Sequence, residues 1–180
     1  MFKQSFKIGI GLLIEEDAFN VMRQSQLRLT RATNNSIGLQ QPPHITVRSP
    51  LTLNNLADID HMITITNELA AQYTSVNIVL DSVRTFTDKV IYFSVAEINE
   101  LMHLHKKINS MLQIDTHEPP IFHATLAHEL SSDEFAVASN EIKNLQKALP
   151  LKTSLKKIGC FMEVNGQWIV IHAKVLGDIA

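Results

Sequence analysis

The sequence predicts one domain of mixed helices and strands that is built from an internal duplication. The predicted element order (helix, His-containing strand, helix, strand, strand) occurs twice along the chain. The His residues of the two copies, His44 and His123, are 79 positions apart, and the turns near Asp88 and Asn165 are 77 positions apart. Because a His and a turn are unrelated features, their matching offsets favour duplication of one structural unit.

The first half of the chain contains six predicted elements. In chain order they are a strand at 4–14, a helix at 15–34, a strand at 44–49, a helix at 55–72 and strands at 75–86 and 89–95. Alternation of apolar and polar residues predicts the strands, and apolar residues at helical spacing predict the second helix. The first helix has acidic residues in its first turn and arginines later, as the helix dipole favours. A double proline at 42–43 breaks the chain before the His-containing strand.

The second half repeats this plan, with the strand at 89–95 in the place that residues 4–14 take in the first half. Its further elements are a helix at 97–113, a strand at 121–127, a helix at 131–149 and hairpin strands at 153–164 and 167–175. A double proline again precedes the His-containing strand. Ser131 and Glu134 form a capping-box pattern, and Asn165-Gly166 is a strong signal for a hairpin turn.

Composition describes an ordinary globular protein. Hydrophobic residues make up 45% and charged residues 19% of the 180 residues, which suits one domain, residues 1–180, with two closely packed lobes at approximately 1–95 and 96–180. The formal net charge of −2 provides no general attraction to long nucleic acid. A local pocket could still bind a short or terminal nucleotide.

The predicted location is the cytoplasm. Cys160 is the only cysteine, so the chain cannot form an internal disulfide, and this suits a reducing compartment. The apolar N-terminal run ends at an acidic stretch, residues 15–17, without a small-residue cleavage site, unlike a signal peptide. No stretch approaches the roughly 20 apolar residues of a membrane span. We therefore expect no membrane partner.

Two similar tetrapeptides form a repeated motif, each with a double proline upstream. They are HITV at 44–47 and HATL at 123–126. Alternate residues of a strand share one face, so His44 and Thr46 point the same way, as do His123 and Thr125. Arg48 continues the first row. A pseudo-two-fold relation between the halves would place the His and Thr side chains along one concave groove.

Two imidazoles and two hydroxyls in one groove suit a phosphodiester. One neutral His can take a proton from a nucleophilic hydroxyl or water, while the other, protonated, gives a proton to the leaving oxygen. The Thr hydroxyls can donate hydrogen bonds to the non-bridging oxygens and stabilise the developing charge. This chemistry needs no metal ion. A single His in a strand is more often a structural residue, so the hypothesis depends on the pairing of the two motifs.

With one His–hydrophobic–Thr–hydrophobic motif in each half, the chain resembles the 2H phosphoesterase superfamily, which includes bacterial-type 2′-5′ RNA ligases and 2′,3′-cyclic nucleotide phosphodiesterases. The resemblance implies a bilobal α+β fold in which antiparallel sheets form a central cleft and helices pack outside. It also implies His44 and His123 as catalytic acid and base, and no cofactor. Ala124 is small for its place in the motif. Arg48 stands where this family often has an apolar residue, and it is either a phosphate ligand or a surface residue.

Three functional hypotheses follow. The first is a metal-independent phosphodiesterase, a hydrolase of RNA processing, that opens 2′,3′-cyclic phosphates on nucleotides or RNA ends, with His44 and His123 as the acid–base pair and Thr46 and Thr125 binding phosphate. The second keeps the site but acts on a 2′-5′ bond, as a 2′-5′ RNA ligase or 2′-5′ oligonucleotide phosphodiesterase. The third is a non-catalytic nucleotide-binding module. The expected partner is a nucleotide or short RNA terminus, without a metal, and the expected state is a monomer.

Several residues near the motifs have two interpretations each. Tyr92 and Trp168 follow their turns at comparable places, and each either packs in the core or stacks on a base, so Tyr92 is a possible substrate contact. His128 is an odd number of positions from His123, so alternation predicts that it faces away. His105 is predicted to border the apolar stripe of its helix. The lysines within 143–157 form either a solvated surface or an edge that guides RNA.

Overall fold

Two antiparallel sheets frame the molecule. The computed structural model describes residues 5–96, 98–114 and 119–178; residue 4 of the first predicted strand and residue 97 of the third predicted helix lie outside them. Sheet A contains, in spatial order, β2 (His44–Leu53), β1 (Phe6–Leu13), β7 (Lys157–Val164) and β8 (Gln167–Val175). Sheet B contains, in spatial order, β5 (His123–Ala127), β4 (Val90–Val95), β3 (Val76–Phe86) and β6 (Leu151–Leu155).

Helices pack against these sheets. In chain order they are α1 (Glu16–Thr33), α2 (Leu56–Gln72), α3 (Asn99–Met111), α4 (Ser132–Ser139) and α5 (Ile142–Leu145). Short 3₁₀ helices at Ile37–Gln40 and Gln146–Ala148 follow α1 and α5. α1 packs on β5, α3 on β2, and α2 on β7 and β8. None of the helices in the described ranges is long and apolar enough to cross a membrane.

The predicted class, α+β with antiparallel sheets, is confirmed. The burial of α1 shows how the sequence produces this packing: Ala18, Met22 and Leu29 are buried at helical spacing, and the polar Ser25 and Gln26 are buried among them. Such a stripe directs one face of a helix towards a sheet.

Both predicted tight turns are present. β3 and β4 are joined through Thr87 and Asp88, and β7 and β8 are joined through Asn165 and Gly166. All four residues have positive φ, between 47° and 78°. Consecutive positive φ values favour the turns whose twist matches that of the flanking strands, and Asn-Gly adopts them readily.

Each sheet takes strands from both halves of the sequence. β7 and β8 join β1 and β2 in sheet A, and β5 and β6 flank β4 and β3 in sheet B. The two sheets therefore do not coincide with residues 1–95 and 96–180. The duplication, with pseudo-symmetric lobes at those approximate bounds, stays a prediction.

The two motif strands lie side by side. β2 and β5 are the edge strands of sheets A and B, and they contact each other. Within the described part of the chain they belong to separate sheets, so ladder hydrogen bonds do not set their spacing. The packing of side chains and helices must hold one edge against the other.

The sequence predicts one continuous strand at 153–164, and this prediction is wrong. The chain forms two strands there, β6 in sheet B and β7 in sheet A, with Lys156 between them. Leu155 and Ile158, on either side of Lys156, are both fully buried. The carbonyl of Lys156 accepts a hydrogen bond from the N–H of Leu176 at 2.8 Å. Apolar residues recur through both strands, so the local pattern does not reveal that the strands have different partners.

The predicted helix at 131–149 starts as expected. The N–H of Glu134 donates to Ser131 Oγ at 3.3 Å, and the N–H of Ser131 donates to the Glu134 carboxylate at 2.7 Å. The capping box is therefore confirmed.

The predicted length of this helix is wrong. After Ser139 the chain tightens, because the N–H groups of Asn140 and Glu141 donate to carbonyls three residues back. α5 and the second 3₁₀ helix follow. The side chain of Gln146 then makes two hydrogen bonds, of 2.9 and 3.1 Å, to the backbone of β3. These contacts direct the segment along the edge of sheet B.

Candidate active site

His44 and His123 are anchored in the same way. Each is the first residue of its strand, β2 or β5. Nδ1 of His44 lies 2.7 Å from the carbonyl oxygen of Pro42, and Nδ1 of His123 lies 2.8 Å from that of Ile121. A carbonyl only accepts, so Nδ1 carries the proton in both rings. In the neutral form of each ring, Nε2 is then the nitrogen with a free lone pair.

The His44 ring packs beside a glycine and an aromatic ring. It stacks on Phe161 of β7 with ring centroids 4.4 Å apart and an interplanar angle of 29°. A Cβ placed on Gly11 of β1 would lie 2.8 Å from the carbonyl oxygen of Ile45 and 3.3 Å from the His44 ring. Only glycine leaves this space free, so β1 can approach β2 at the motif.

Two aromatic rings pack against His123 in edge-on contacts. The centroids of Phe86 and Tyr92 both lie 5.0 Å from that of the His123 ring, in edge-on arrangements. Phe86 and Tyr92 also stack on each other, with centroids 4.2 Å apart. Edge-to-face contacts of this kind stabilise one ring orientation. The aromatic pair therefore forms the wall behind His123.

Two adjoining cavities form one groove along the motif strands. A cavity of about 200 Å³ is lined by residues that include His44, Thr46 and Thr125. A second cavity, of about 410 Å³, is lined by residues that include His123 and Thr125. Thr125, Gln41 and Trp168 line both cavities. The structure thus brings together the four motif side chains that the sequence singled out.

Thr46 is coupled directly to His44. Its Oγ1 lies 3.2 Å from Nε2 of His44, close enough for the hydroxyl to donate to the free lone pair of the neutral ring. A substrate oxygen in the cavity would compete for the same hydroxyl. Thr46 therefore occupies a position from which it can contact both the imidazole and a phosphate.

The two catalytic candidates affect each other electrostatically. Burial lowers the pKa of His44 below its ordinary value, the hydrogen bond to Pro42 raises it in part, and the charge of His123 lowers it further. Burial likewise lowers the pKa of His123, with partial compensation from the hydrogen bond to Ile121. Because a proton on one ring opposes a proton on the other, the groove disfavours the state in which both imidazoles are charged.

Arg48 does not continue the row of His44 and Thr46. The pairing with β1 shifts register between Thr46, which pairs with Gly11, and Arg48, and Arg48 lines neither cavity. It stands opposite Ile10 of β1, and burial lowers its pKa. Its buried Nε has no hydrogen-bond partner among the described residues. Arg48 is therefore half-buried and not a fully exposed surface residue. Its binding of phosphate stays a prediction.

Tyr92 is placed behind the groove. Its side chain is 5% exposed, and one ring face is covered by Phe86. This position fits the core-packing interpretation of Tyr92, in which the ring supports His123. Trp168, its counterpart after the second turn, lines both cavities instead. A substrate contact by Tyr92 stays a prediction without support from this geometry.

His128 is the site residue that the sequence placed wrongly. It was expected to face away from His123, but both line the larger cavity. Alternation already breaks within β5, because its pairing with β4 shifts register between Thr125 and Ala127, and the strand ends at Ala127. Glu129 then adopts a left-handed φ of 57°, which turns the chain.

Gln41 orients His128. The amide nitrogen of Gln41 lies 3.0 Å from Nε2 of His128 and donates to it. Burial lowers the pKa of His128, with partial compensation from the charge of Glu129 and from the hydrogen bond to the Ile37 carbonyl. The position of Gln41, directly before the first double proline, is the only sequence signal that could have drawn attention to it. The pair presents an imidazole and an amide to the groove.

Two lysines of the basic run are engaged in ion pairs. Lys156 contacts Glu16 at 2.9 Å, and Lys157 contacts Glu15 at 2.6 Å. These contacts support the structural interpretation for both residues.

No potential metal-ligand set of three His, Cys, Asp or Glu side chains is present within residues 5–96, 98–114 and 119–178.

Sequence comparison points to one family. The profile of the 2′-5′ RNA ligase superfamily matches residues 20–167. A protein of Bacillus licheniformis named "Putative phosphoesterase" is 26% identical over 140 residues, which cover 76% of this chain and 81% of that protein. A protein of the same name from Geobacillus thermodenitrificans is 27% identical over 139 residues, which cover 76% of this chain and 79% of that protein.

Solved structures share the fold. TT0787 of Thermus thermophilus aligns with a TM-score of 0.67 at 12% identity and covers 95% of this chain and 98% of its own. E. coli LigT, solved in complexes with NADP+ and with 3′-AMP, aligns with TM-scores of 0.61 and 0.62 at 10% identity and covers 97% of this chain and 100% of its own. The matched segment, residues 20–167, includes both motifs. The chain therefore belongs to the 2′-5′ RNA ligase superfamily, among the 2H phosphoesterases.

Proposed function

We propose that the protein is a metal-independent phosphodiesterase that opens the 2′,3′-cyclic phosphate of a nucleotide or an RNA end. The observation that carries the proposal is the matched anchoring of two imidazoles along one groove. Both have Nδ1 bound to a carbonyl two residues upstream, and both line cavities that share Thr125. A phosphodiester between them would meet one proton acceptor and one proton donor.

In the proposed reaction His44 is the base and His123 is the acid. The charge of His123 lowers the pKa of His44, which supports His44 as the base of the pair. Nε2 of His44 takes a proton from a water molecule while the oxygen of that water forms a bond to phosphorus. The bond from phosphorus to one ribose oxygen breaks, and that oxygen takes the proton from Nε2 of His123. The hydroxyls of Thr46 and Thr125 donate to the non-bridging oxygens.

A nucleotide as substrate is supported by two further observations. E. coli LigT, which shares the fold, has been solved with 3′-AMP and with NADP+. In this chain Trp168 lines both cavities, and Gln41 and His128 lie beside it in the larger one. An indole can stack on a base, and an amide can bind its polar edge. We propose that these residues receive the nucleoside.

The test is a substrate screen with the two His variants. The four 2′,3′-cyclic mononucleotides and short RNAs ending in a cyclic phosphate are incubated with the protein in EDTA, and products are separated by chromatography. Turnover should survive EDTA, and His44→Ala or His123→Ala should each lower it by at least about 100-fold. His61→Ala, on the exposed face of α2, is the matched control and should keep the full rate. A double His variant with full activity would contradict the proposal.

A second candidate function uses the same groove on a 2′-5′ bond. It is favoured by the family profile itself, which is described as that of 2′-5′ RNA ligases. Incubation of the protein with a 2′-5′ oligonucleotide, and with RNA halves carrying a cyclic phosphate and a 5′ hydroxyl, distinguishes cleavage and ligation from ring opening. Nucleotide binding without turnover on any of these substrates would instead support a non-catalytic module. Cytoplasmic location and a monomeric state also stay predictions.

A further inference from the structure

Two buried helix side chains bind the backbone of the motif strands. Nδ1 of His105, on α3, donates to the carbonyl oxygen of Val47 in β2 at 2.7 Å. Nε2 of Gln26, on α1, donates to the carbonyl oxygen of Thr125 in β5 at 3.2 Å. Each acceptor is a motif residue, so both bonds act on the backbone that carries the His and Thr side chains.

These bonds connect opposite halves of the chain. His105 comes from the second half and binds the strand of the first motif, and Gln26 comes from the first half and binds the strand of the second. Gln26 and His105 are 79 positions apart, the same offset that separates His44 from His123. The two side chains therefore occupy corresponding places in the predicted duplication and make reciprocal contacts.

Both side chains are buried and held by a second polar group. Gln26 is 2% exposed and His105 is 6% exposed. Arg23 donates to Oε1 of Gln26 at 2.9 Å, and the amide of Asn109 lies 2.8 Å from Nε2 of His105 and donates to it. Buried polar groups are costly unless their hydrogen bonds are made. Each helix thus presents its donor in one fixed orientation.

His105 also contacts the segment that leads into the second motif strand. Its ring meets Phe122 edge-on, with centroids 6.3 Å apart, and Phe122 is 3% exposed and directly precedes His123. One side chain therefore contacts the β2 backbone and the residue before β5. Since β2 and β5 share no ladder in the described part of the chain, such contacts are what can define the spacing between the motifs.

We propose that Gln26 and His105 are positioning residues, a reciprocal pair that holds the two motif strands at the separation that lets both imidazoles reach one phosphate. The kinetic part of this inference rests on the proposed function. The structural part concerns only the separation of His44 and His123. A displacement of about 1 Å between reacting groups can lower a rate by about 100-fold. A small change in the separation of the two motif strands is therefore sufficient for a measurable effect on the rate.

The first experiment compares donor-free and donor-retaining variants by steady-state kinetics. His105→Leu and Gln26→Met remove the donors and keep apolar bulk, and each should lower kcat by about 10- to 100-fold with KM within about 3-fold of wild type. His105→Asn places an amide N–H where Nδ1 stood and should recover most of the rate. Ser25→Ala is the matched control, because Ser25 is also buried but bonds within its own helix, to Val21. Loss of rate in Ser25→Ala equal to that in Gln26→Met would overturn the proposal.

The second experiment needs no turnover. NMR titration of the imidazole Cε1–H signals gives the pKa of His44 with and without His123→Ala. Because the charge of His123 lowers the pKa of His44, removal of His123 should raise it in the wild-type background. The rise should be smaller in His105→Leu and Gln26→Met, where the strands separate. An unchanged or larger rise in both variants overturns the inference.

The two measurements separate failure of the inference from failure of the proposed function. A wild-type protein that turns over no phosphodiester, with the expected NMR changes, would end the proposed function and leave the positioning role standing. If His105→Leu does not fold, Gln26→Met against Ser25→Ala decides the outcome. Turnover that is insensitive to both donor removals would end the positioning role and leave the phosphodiesterase.

Discussion

At the scale of single residues, the chemistry depends on which nitrogen of each imidazole is free. The carbonyls of Pro42 and Ile121 hold the protons of His44 and His123 on Nδ1. Nε2 of each ring is therefore the proton-transfer atom, and Thr46 already contacts that atom in His44. A substitution of His44, His123 or Thr46 therefore acts directly on proton transfer.

The same residues predict the pH dependence of the reaction. Burial lowers the pKa of both His44 and His123 below the ordinary 6.5. Activity needs neutral His44 and protonated His123, so the rate should rise as pH passes the pKa of His44 and fall as pH passes that of His123. The bell-shaped profile of kcat/KM should therefore have its optimum below pH 6.5. A stopped assay over about pH 4 to 8 measures it, since kcat/KM reports the free enzyme. An optimum on the alkaline side of neutrality would contradict the assignment.

At the scale of elements, α2 supports the sheet that carries Phe161 but contributes nothing to the groove. It packs on β7 and β8, and its N-terminus is capped by Asn55, whose side-chain oxygen accepts from the N–H of Asp58 at 2.9 Å. An N-cap satisfies one of the free N–H groups of the first turn. Stability and activity should be separable here.

We expect Asn55→Ala to lower the free energy of unfolding by about 1 kcal/mol and to leave kcat within about two-fold of wild type, because the groove residues are untouched. Urea unfolding followed by circular dichroism measures the first quantity, and the cyclic-nucleotide assay measures the second. Asn54→Ala is the neighbouring control and should retain the wild-type unfolding midpoint. An equal loss in both variants would show that the cap is not the cause.

The reciprocal contacts of α1 and α3 also belong to this scale. Each helix packs on the motif strand of the other half, and each inserts one buried donor, Gln26 or His105, towards the backbone there. The helices therefore do more than cover the sheets, because they define where the two strand edges stand.

At the scale of the whole molecule, three partly buried imidazoles make stability depend on pH. Burial lowers the pKa of His44, His123 and His128 in the folded state. The unfolded chain then binds protons more readily than the folded one, so the stabilisation is present above pH 6.5 and is lost as pH falls through the folded-state values.

We therefore expect the free energy of unfolding to decrease on acidification below pH 6.5. Urea unfolding at several pH values measures the slope, and His44→Asn should make it shallower because one of the three groups is removed. Ser25→Ala changes no titrating group and should keep the wild-type slope. A stability that is unchanged between neutral pH and about pH 5 would rule out this linkage.

The sequence by itself determined the chemistry-bearing residues and their faces. Alternation put His44 with Thr46 and His123 with Thr125, and Asn165-Gly166 marked the turn between β7 and β8. These features are local, because the period of a strand and the φ preferences of a turn depend on neighbouring residues only. They predicted the class of fold and the four motif side chains of the groove.

Only the tertiary structure decided which elements meet. It split the strand around Lys156 between two sheets, it brought His128 into the groove, and it placed Gln26 and His105 on the opposite motif strands. The physical reason is that pairing between strands and packing of helices are set by contacts between residues far apart in sequence. Local periodicity defines the face that an element buries, but it does not define the partner against which that face is buried.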